Sequence, residues 1–156
     1  MIETPDIGLA TVADARAIAL LSRDEIEQGL RWAWTPTRVR RAIEDRDTNV
    51  VVARKGKAVI GFALMEYRSD DAHLLLLAVA PDQRRKHIAT AMLAWLEETL
   101  HVAGIATVHV EVRATNSIAL AFYTRLGYEQ VNATYRYYQG IETALHLVKE
   151  LRPRDL

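Results

Sequence analysis

Hydrophobic residues in the first third of the chain recur at helical spacing. They lie three or four positions apart and predict an amphipathic helix through Val12, Ala15, Ile18, Ala19, Leu21 and Ile26. Thr11 and Asp14 are typical of a capping box at its start, and Gly29 is a stop signal after it. A second, basic helix is predicted over residues 36–46, with Thr35 as N-cap and Pro36 in its first turn.

From residue 51 onward the pattern changes to β-rich runs. Two runs around the turn RKGK predict a hairpin, and HLLLLAV is a continuous apolar run typical of a central strand. TVHVEVR alternates between apolar and polar positions, as a half-buried strand does. The strands are predicted at 51–53, 58–67, 73–79 and 107–113, and in the two final runs YEQVNA and ETALHLVKEL.

Two further helices are predicted between these strands. One covers about 88–103 and stops at Gly104, and a short one covers 117–126 and closes at Gly127. The element order predicts an α/β fold with a mixed sheet, and the N-terminal helix pair should pack on one edge or face of it. At 156 residues, the chain suits a single domain, 1–156.

Charge and composition exclude several classes of function. Twenty basic residues balance 20 acidic ones, which argues against nucleic-acid binding. Without cysteine, no disulfide, thiolate metal site or acyl-cysteine intermediate is possible. The five histidines are scattered without HExxH spacing, so no metal site is expected from them.

Neither end of the chain nor its interior carries a targeting or membrane signal. The N-terminal run MIETPDIGLATVAD contains acids and lacks an apolar core, so it is not expected to be a signal peptide. No stretch approaches the ~20 apolar residues of a membrane span. A cytoplasmic location without membrane partners is therefore expected.

The segment PDQRRKHIATAML, at 81–93, is the first candidate site. It joins the long apolar strand to a helix, where unpaired backbone N–H groups and the helix dipole favour an anion. Arg84, Arg85 and Lys86 add positive charge at the same position. Taken alone, the segment fits either an anion site or a solvated basic turn.

A second motif favours the anion site. The run EVRATNSIALAFYTRLGY follows about thirty residues later, and together the two motifs resemble the GNAT superfamily of acetyl-CoA-dependent N-acetyltransferases over about residues 48–150. The resemblance implies a GNAT fold, with a mixed, mostly antiparallel central sheet flanked by about four helices, and acetyl-CoA as cosubstrate. The coenzyme A positions that it implies are Leu77, Ala78, Val79, Arg84, Arg85, Lys86, His87, Ile88, Ala89, Thr90, Asn116, Ala119, Phe122 and Tyr123.

His87 departs from the family pattern, which has glycine at this position of the phosphate loop. Glycine allows close approach of the backbone to phosphate and a free choice of φ and ψ. A histidine is expected to fit if its φ is negative and its side chain points outward. The imidazole is then either a tolerated substitution or an additional donor to phosphate.

Acyl transfer needs a base for the amine and an acid for the departing thiolate. Tyr123, at the family's tyrosine position, is the acid candidate, since phenols and thiols have reference pKa values near ~10 and ~8.5. Glu111, on the polar face of its strand, is the base candidate; its alternative is a structural ion pair with Arg113 or another cation. His109 and His73 are lesser base candidates and are expected to be packed histidines.

Within the superfamily, Glu111 and Tyr123 at this separation resemble the ribosomal-protein alanine N-acetyltransferases and related Nα-acetyltransferases. This implies a protein or peptide α-amino group as acceptor, with a slot bounded by Tyr137 and Tyr138. Trp32 and Trp34 lie where the fold has its acceptor loop; they either stack on substrate or staple the two helices. A small amine, antibiotic or amino acid acceptor, and an inactive acetyl-CoA-binding module, remain alternatives. The expected assembly is a monomer or homodimer.

Overall fold

A mixed, mostly antiparallel sheet forms the centre of the fold in the computed structural model, which describes residues 5–138 and 142–151. Its seven strands run in the order β1-β2-β3-β4-β5-β7-β6, and β4 and β5 form its parallel pair. This arrangement confirms the predicted fold class. The strands are β1 (Asp6–Leu9), β2 (Thr48–Lys55), β3 (Ala58–Tyr67), β4 (Asp71–Val79), β5 (Thr107–Arg113), β6 (Glu129–Tyr138) and β7 (Glu142–Glu150).

Four α-helices accompany the sheet in the described part of the chain: α1 (Ala15–Leu21), α2 (Pro36–Glu44), α3 (Ile88–Ala103) and α4 (Ser117–Arg125). Asp14 reaches back to accept the Thr11 N–H at 2.8 Å, as the capping pattern predicts. The first helix is less regular than its periodicity suggests, because a 3₁₀ turn precedes α1 and a π-helical turn over Ser22–Ile26 follows it. None of the described helices has the length and apolar character needed to cross a membrane.

Each face of the sheet carries its own hydrophobic core. On one face α3 packs against alternate residues of β5, with Met92, Leu93, Leu96, Leu100, Val108, Val110 and Val112 in one buried cluster. On the other face α1 and α2 cover β2, β3 and the end of β4, with Ile18, Val39, Val52, Phe62, Leu64 and Leu76 in a second buried cluster. Burial on two faces explains why the central strands are continuous apolar runs.

The register of β4 changes at Leu75, midway along the strand. On the β3 side, Leu74 pairs with Met65 but Leu76 pairs with Leu64, so Leu75 is the extra residue of a β-bulge. As a result, Leu74 belongs to the core under α3, whereas Leu76 belongs to the core under α1 and α2.

Pairing between β4 and β5 ends at the same level as the bulge. The parallel ladder covers Asp71–Leu74 opposite Thr107–Val110, and the two strands separate beyond it. The rest of β4 keeps its pairing with β3 and has an open edge toward β5. This gap in the middle of the sheet positions the site described next.

Candidate active site

The open edge of β4 contains the three backbone positions that the sequence assigns to coenzyme A. Leu77, Ala78 and Val79 pair with β3 on one side, while the β5 side is unpaired. Backbone N–H and C=O groups at such an edge are available to another extended, amide-containing chain. Two of these side chains, Ala78 and Val79, are buried, so contacts at this edge involve mainly the backbone.

A turn with unusual backbone geometry connects this edge to α3. Arg85 and His87 adopt left-handed conformations, with φ of 64° and 60°, and α3 begins at Ile88. In a turn where left-handed residues alternate with residues of other conformations, successive backbone N–H groups point toward one place and form an anion-binding concavity. The N–H groups of Ile88, Ala89 and Thr90, in the first turn of α3, lack intrahelical partners and extend the same surface. The residues present therefore fit a pyrophosphate.

His87 meets only one of the two conditions named for a histidine here, because its φ is positive although its side chain points outward. The residue lies in the left-handed region that favours glycine, and it is the N-cap of α3. Its side chain is exposed. For a residue with a Cβ, this conformation costs about 1–2 kcal/mol. The loop thus keeps the glycine-like backbone that the family pattern implies, although the glycine itself is missing.

Two arginines tie the site to the segment between α1 and α2. Arg84, at the start of the phosphate loop, forms an ion pair with Glu25. Arg113, at the end of β5, donates to the carbonyl oxygens of Ile26 and Gln28 at 2.6 Å each. Both ends of the Arg113 guanidinium thus donate to backbone, which argues against the Glu111–Arg113 ion pair.

Glu111 lies on the open face of β5, one residue beyond the last pair of the β4–β5 ladder. Partial burial raises the pKa of its carboxyl above the usual range, and positive charge on His146 and His109 opposes the rise. A carboxylate with a raised pKa is a better proton acceptor, so this environment suits the role of a general base.

Tyr123 lies on the opposite face, in the core under α3 and α4. It is buried and makes edge-to-face contacts with Phe122 and Tyr128. Asn116 is the N-cap of α4, and its side-chain oxygen accepts the Ala119 N–H at 3.1 Å. A substrate that contacts both Glu111 and Tyr123 must therefore lie in the gap between β4 and β5.

The predicted acceptor residues divide into two groups. Trp32 and Trp34 are half-buried against the core under α1 and α2, and Trp34 also lines a shallow cleft with Leu75 and Glu66. Tyr137 and Tyr138 belong to the backbone of β6, but their side chains lie outside the described residues.

Glu27, which the sequence analysis missed, holds the loop that carries the two tryptophans. Its buried carboxylate accepts the Ser22 hydroxyl at 2.8 Å and the N–H groups of Ala33 and Trp34 at 2.7 and 3.1 Å. The guanidinium of Arg38 lies 3.8 Å from the centre of the Trp34 ring. These contacts support the interpretation that the tryptophans hold the two helices together. The cleft beside Trp34 is also compatible with the alternative that they stack on substrate.

Three of the five histidines lie together in the structure. His73, His109 and His146, on neighbouring strands, stack with ring-centre distances of 4.6 and 5.0 Å. Burial, with help from Arg68 and His109, lowers the pKa of His73. Only strand register could have revealed this cluster, because the three residues are far apart in sequence.

Comparisons with known proteins identify the family of this chain. Residues 20–145 match the model of the acetyltransferase (GNAT) domain. The [ribosomal protein bS18]-alanine N-acetyltransferase of Escherichia coli strain K12 is 35% identical over 94 residues, which are 60% of this chain and 63% of the relative. The match thus spans less than two thirds of that relative's length.

Two solved structures share the whole fold. The ribosomal-protein-S18-alanine N-acetyltransferase from Escherichia coli is 25% identical, with a TM-score of 0.80 and 97% of each chain covered. The PaiA N-acetyltransferase from Thermoplasma acidophilum, crystallised in complex with coenzyme A, is 19% identical, with a TM-score of 0.80 and 95% of this chain and 99% of that chain covered.

Replacing His87 by glycine is expected to stabilise the protein. His87→Gly removes the Cβ from a left-handed residue, and after the entropic cost of glycine the free energy of unfolding should rise by about 0.5–1 kcal/mol. Chemical denaturation measures it. His87→Ala is the matched control, because it removes the imidazole but keeps the Cβ. Equal free energies of unfolding for the glycine and alanine variants would contradict the strain.

Proposed function

Since this chain belongs to the acetyltransferase (GNAT) family, we propose that it transfers the acetyl group of acetyl-CoA to a primary amine by direct attack. The favoured acceptor is the α-amino group of a protein or peptide. We also propose that residues 1–156 act as one domain in the cytoplasm, where a ribosomal protein would meet it.

The gap between β4 and β5 is the observation that carries the proposal. At one end of the gap, the open edge of β4 leads into the concave turn at Arg85 and His87, which suits the pantetheine and pyrophosphate of coenzyme A. Across the gap, Glu111 and Tyr123 occupy opposite faces of the sheet. A thioester in the gap would therefore be accessible to a base from one face and to an acid from the other.

Each residue has a distinct role in the proposed reaction. The cosubstrate supplies an activated acetyl thioester. Glu111 takes the proton of the incoming ammonium, directly or through a water molecule, because only the neutral amine has a lone pair for attack. The backbone N–H of Val79 polarises the thioester carbonyl. As the C–N bond forms and the C–S bond breaks, Tyr123 gives its phenolic proton to the departing thiolate, and the extra proton on the new amide nitrogen restores the phenol, directly or through water.

An α-amino acceptor agrees with the name of a relative and with the acidity of the amine. The matched relative from Escherichia coli is named as an N-acetyltransferase that acts on an alanine of ribosomal protein bS18. An α-amino group, with a reference pKa near ~8, also needs a weaker base than lysine does.

The acceptor class can be tested with a matched set of peptides. We expect release of free coenzyme A with a peptide that has a free N-terminal alanine. The same peptide with a blocked N-terminus and an internal lysine should give none, and mass spectrometry locates the acetyl group. Turnover of polyamines, aminoglycosides or free amino acids alone would replace the peptide acceptor by a small amine. Binding of acetyl-CoA without turnover of any acceptor would identify an inactive module.

Tyr123→Phe tests the acid. Loss of the phenolic proton should lower kcat by about 10²-fold or more, while the Kd for acetyl-CoA, measured by calorimetry, stays nearly constant. Tyr128→Phe is the matched control: the Tyr128 hydroxyl is buried without a hydrogen-bond partner among the described residues, and its ring touches that of Tyr123. An unchanged kcat in Tyr123→Phe, or an equal loss in both variants, would remove Tyr123 from the reaction.

Glu111→Gln tests the base through its pH dependence. In the wild type, kcat/KM should rise with pH through the raised pKa of Glu111, because the ionised carboxylate is the active form. The variant should lose about 10²-fold at pH values below the amine pKa near ~8 and less above it, where the amine is already neutral. Glu44→Gln, on the exposed face of α2, controls for net charge. A loss that is independent of pH would exclude Glu111 as the base.

A further inference from the structure

Asp71, His73 and His109 form a second cluster of chemical groups, beside the site described above. Asp71 and His73 alternate along β4 and point to the same face, and His73 is the register partner of His109 in the parallel ladder. All three side chains are partly buried, with exposed fractions of 33%, 23% and 19%. The acetyl-transfer roles proposed above use none of these three residues.

The donor atoms of the cluster converge on one point. The Asp71 Oδ2 atom lies 3.0 Å from His109 Nε2, and Asp71 Oδ1 lies 3.6 Å from His73 Nε2. One donor atom can be chosen from each of the three residues so that all three atoms lie within 4.8 Å of one another. In a tetrahedral zinc site with bonds of about 2.0–2.2 Å, the donor atoms lie roughly 3.3–3.6 Å apart, so side-chain rotations must bring the most distant donors of this cluster closer together.

The second nitrogen of His109 is already oriented. Its Nδ1 lies 2.8 Å from Nε2 of His146, on β7. If His109 Nδ1 donates to His146, then His109 Nε2 carries a lone pair that faces the Asp71 carboxylate. These two electron-rich groups repel each other unless a cation lies between them. In the other tautomer, a proton on His109 Nε2 fills that position, and metal binding would displace it. A hydrogen bond to the remote nitrogen is also the usual way that ligating histidines are held.

We propose that Asp71, His73 and His109 bind a divalent transition metal ion of the Zn²⁺ class, with solvent in the remaining coordination position. Two imidazoles and one carboxylate match the preference of Zn²⁺ and not the all-oxygen preference of Mg²⁺ or Ca²⁺. The metal would lie on the same sheet face as Glu111, which is two residues beyond His109 on β5. The binding claim is independent of the proposed acetyl transfer.

Calorimetry on the full chain, without an affinity tag and after removal of metal with a chelator, tests this site. We expect the wild-type protein to bind one equivalent of Zn²⁺. When Co²⁺ replaces Zn²⁺, the protein should show the visible absorption of a four-coordinate site. His73→Ala and Asp71→Asn should each weaken Zn²⁺ binding by at least about tenfold. Excess Mg²⁺ should not compete. Circular dichroism verifies that each variant is folded.

His101→Ala is the matched control, because His101 lies in the last turn of α3, outside the cluster. It should bind Zn²⁺ with wild-type affinity. Absence of Zn²⁺ binding by the wild type would overturn the proposal. Wild-type affinity in folded His73→Ala and Asp71→Asn variants, or an equal loss in His101→Ala, would also overturn it, since the binding would then be adventitious.

Discussion

The separation of β4 from β5 is the constraint on which the rest of the molecule depends. A parallel ladder that continued past Leu74 and Val110 would occupy the open edge of β4. The bulge at Leu75 occurs at the same level, and bulges bend a strand and increase its local twist. The bulge also turns the side chains of the following residues to the opposite face of the sheet, so that Leu76 packs under α1 and α2. One additional residue thus opens the sheet and keeps both cores filled.

The segment between α1 and α2 is connected to both sides of this gap. Arg84 joins it to the phosphate loop, and Arg113 joins it to the end of β5. Glu27 accepts hydrogen bonds from two partly buried backbone N–H groups, those of Ala33 and Trp34, and so holds the same segment together. The segment between α1 and α2 therefore contacts both the cofactor side and the acceptor side of the gap.

Sequence patterns predict the elements better than they predict their register. The long strands and α3 follow from periodicity and flanking turn residues, whereas β1 is missed because its four residues include Gly8 and follow a proline. The bulge is invisible in HLLLLAV, where every possible register is equally apolar. The histidine cluster depends on the pairing of β4, β5 and β7, and such long-range register is not encoded in local spacing. Motif resemblance predicts the roles of the loop at 84–90 and of Glu111 and Tyr123, but not the contacts that hold these residues in place.

The two left-handed residues of the phosphate loop show how binding and stability are linked in this fold. Arg85 and His87 together cost about 2–4 kcal/mol in the free protein, a substantial part of the 5–15 kcal/mol typical of a domain. A ligand that binds only the folded loop at 100 times its Kd stabilises it by about 2.7 kcal/mol, which is comparable. An anion bound to this loop, as proposed above, would offset a strain of this size. Glycines at both positions would lower this cost, but they would also remove the positive charge of Arg85 from the point where the backbone N–H groups converge.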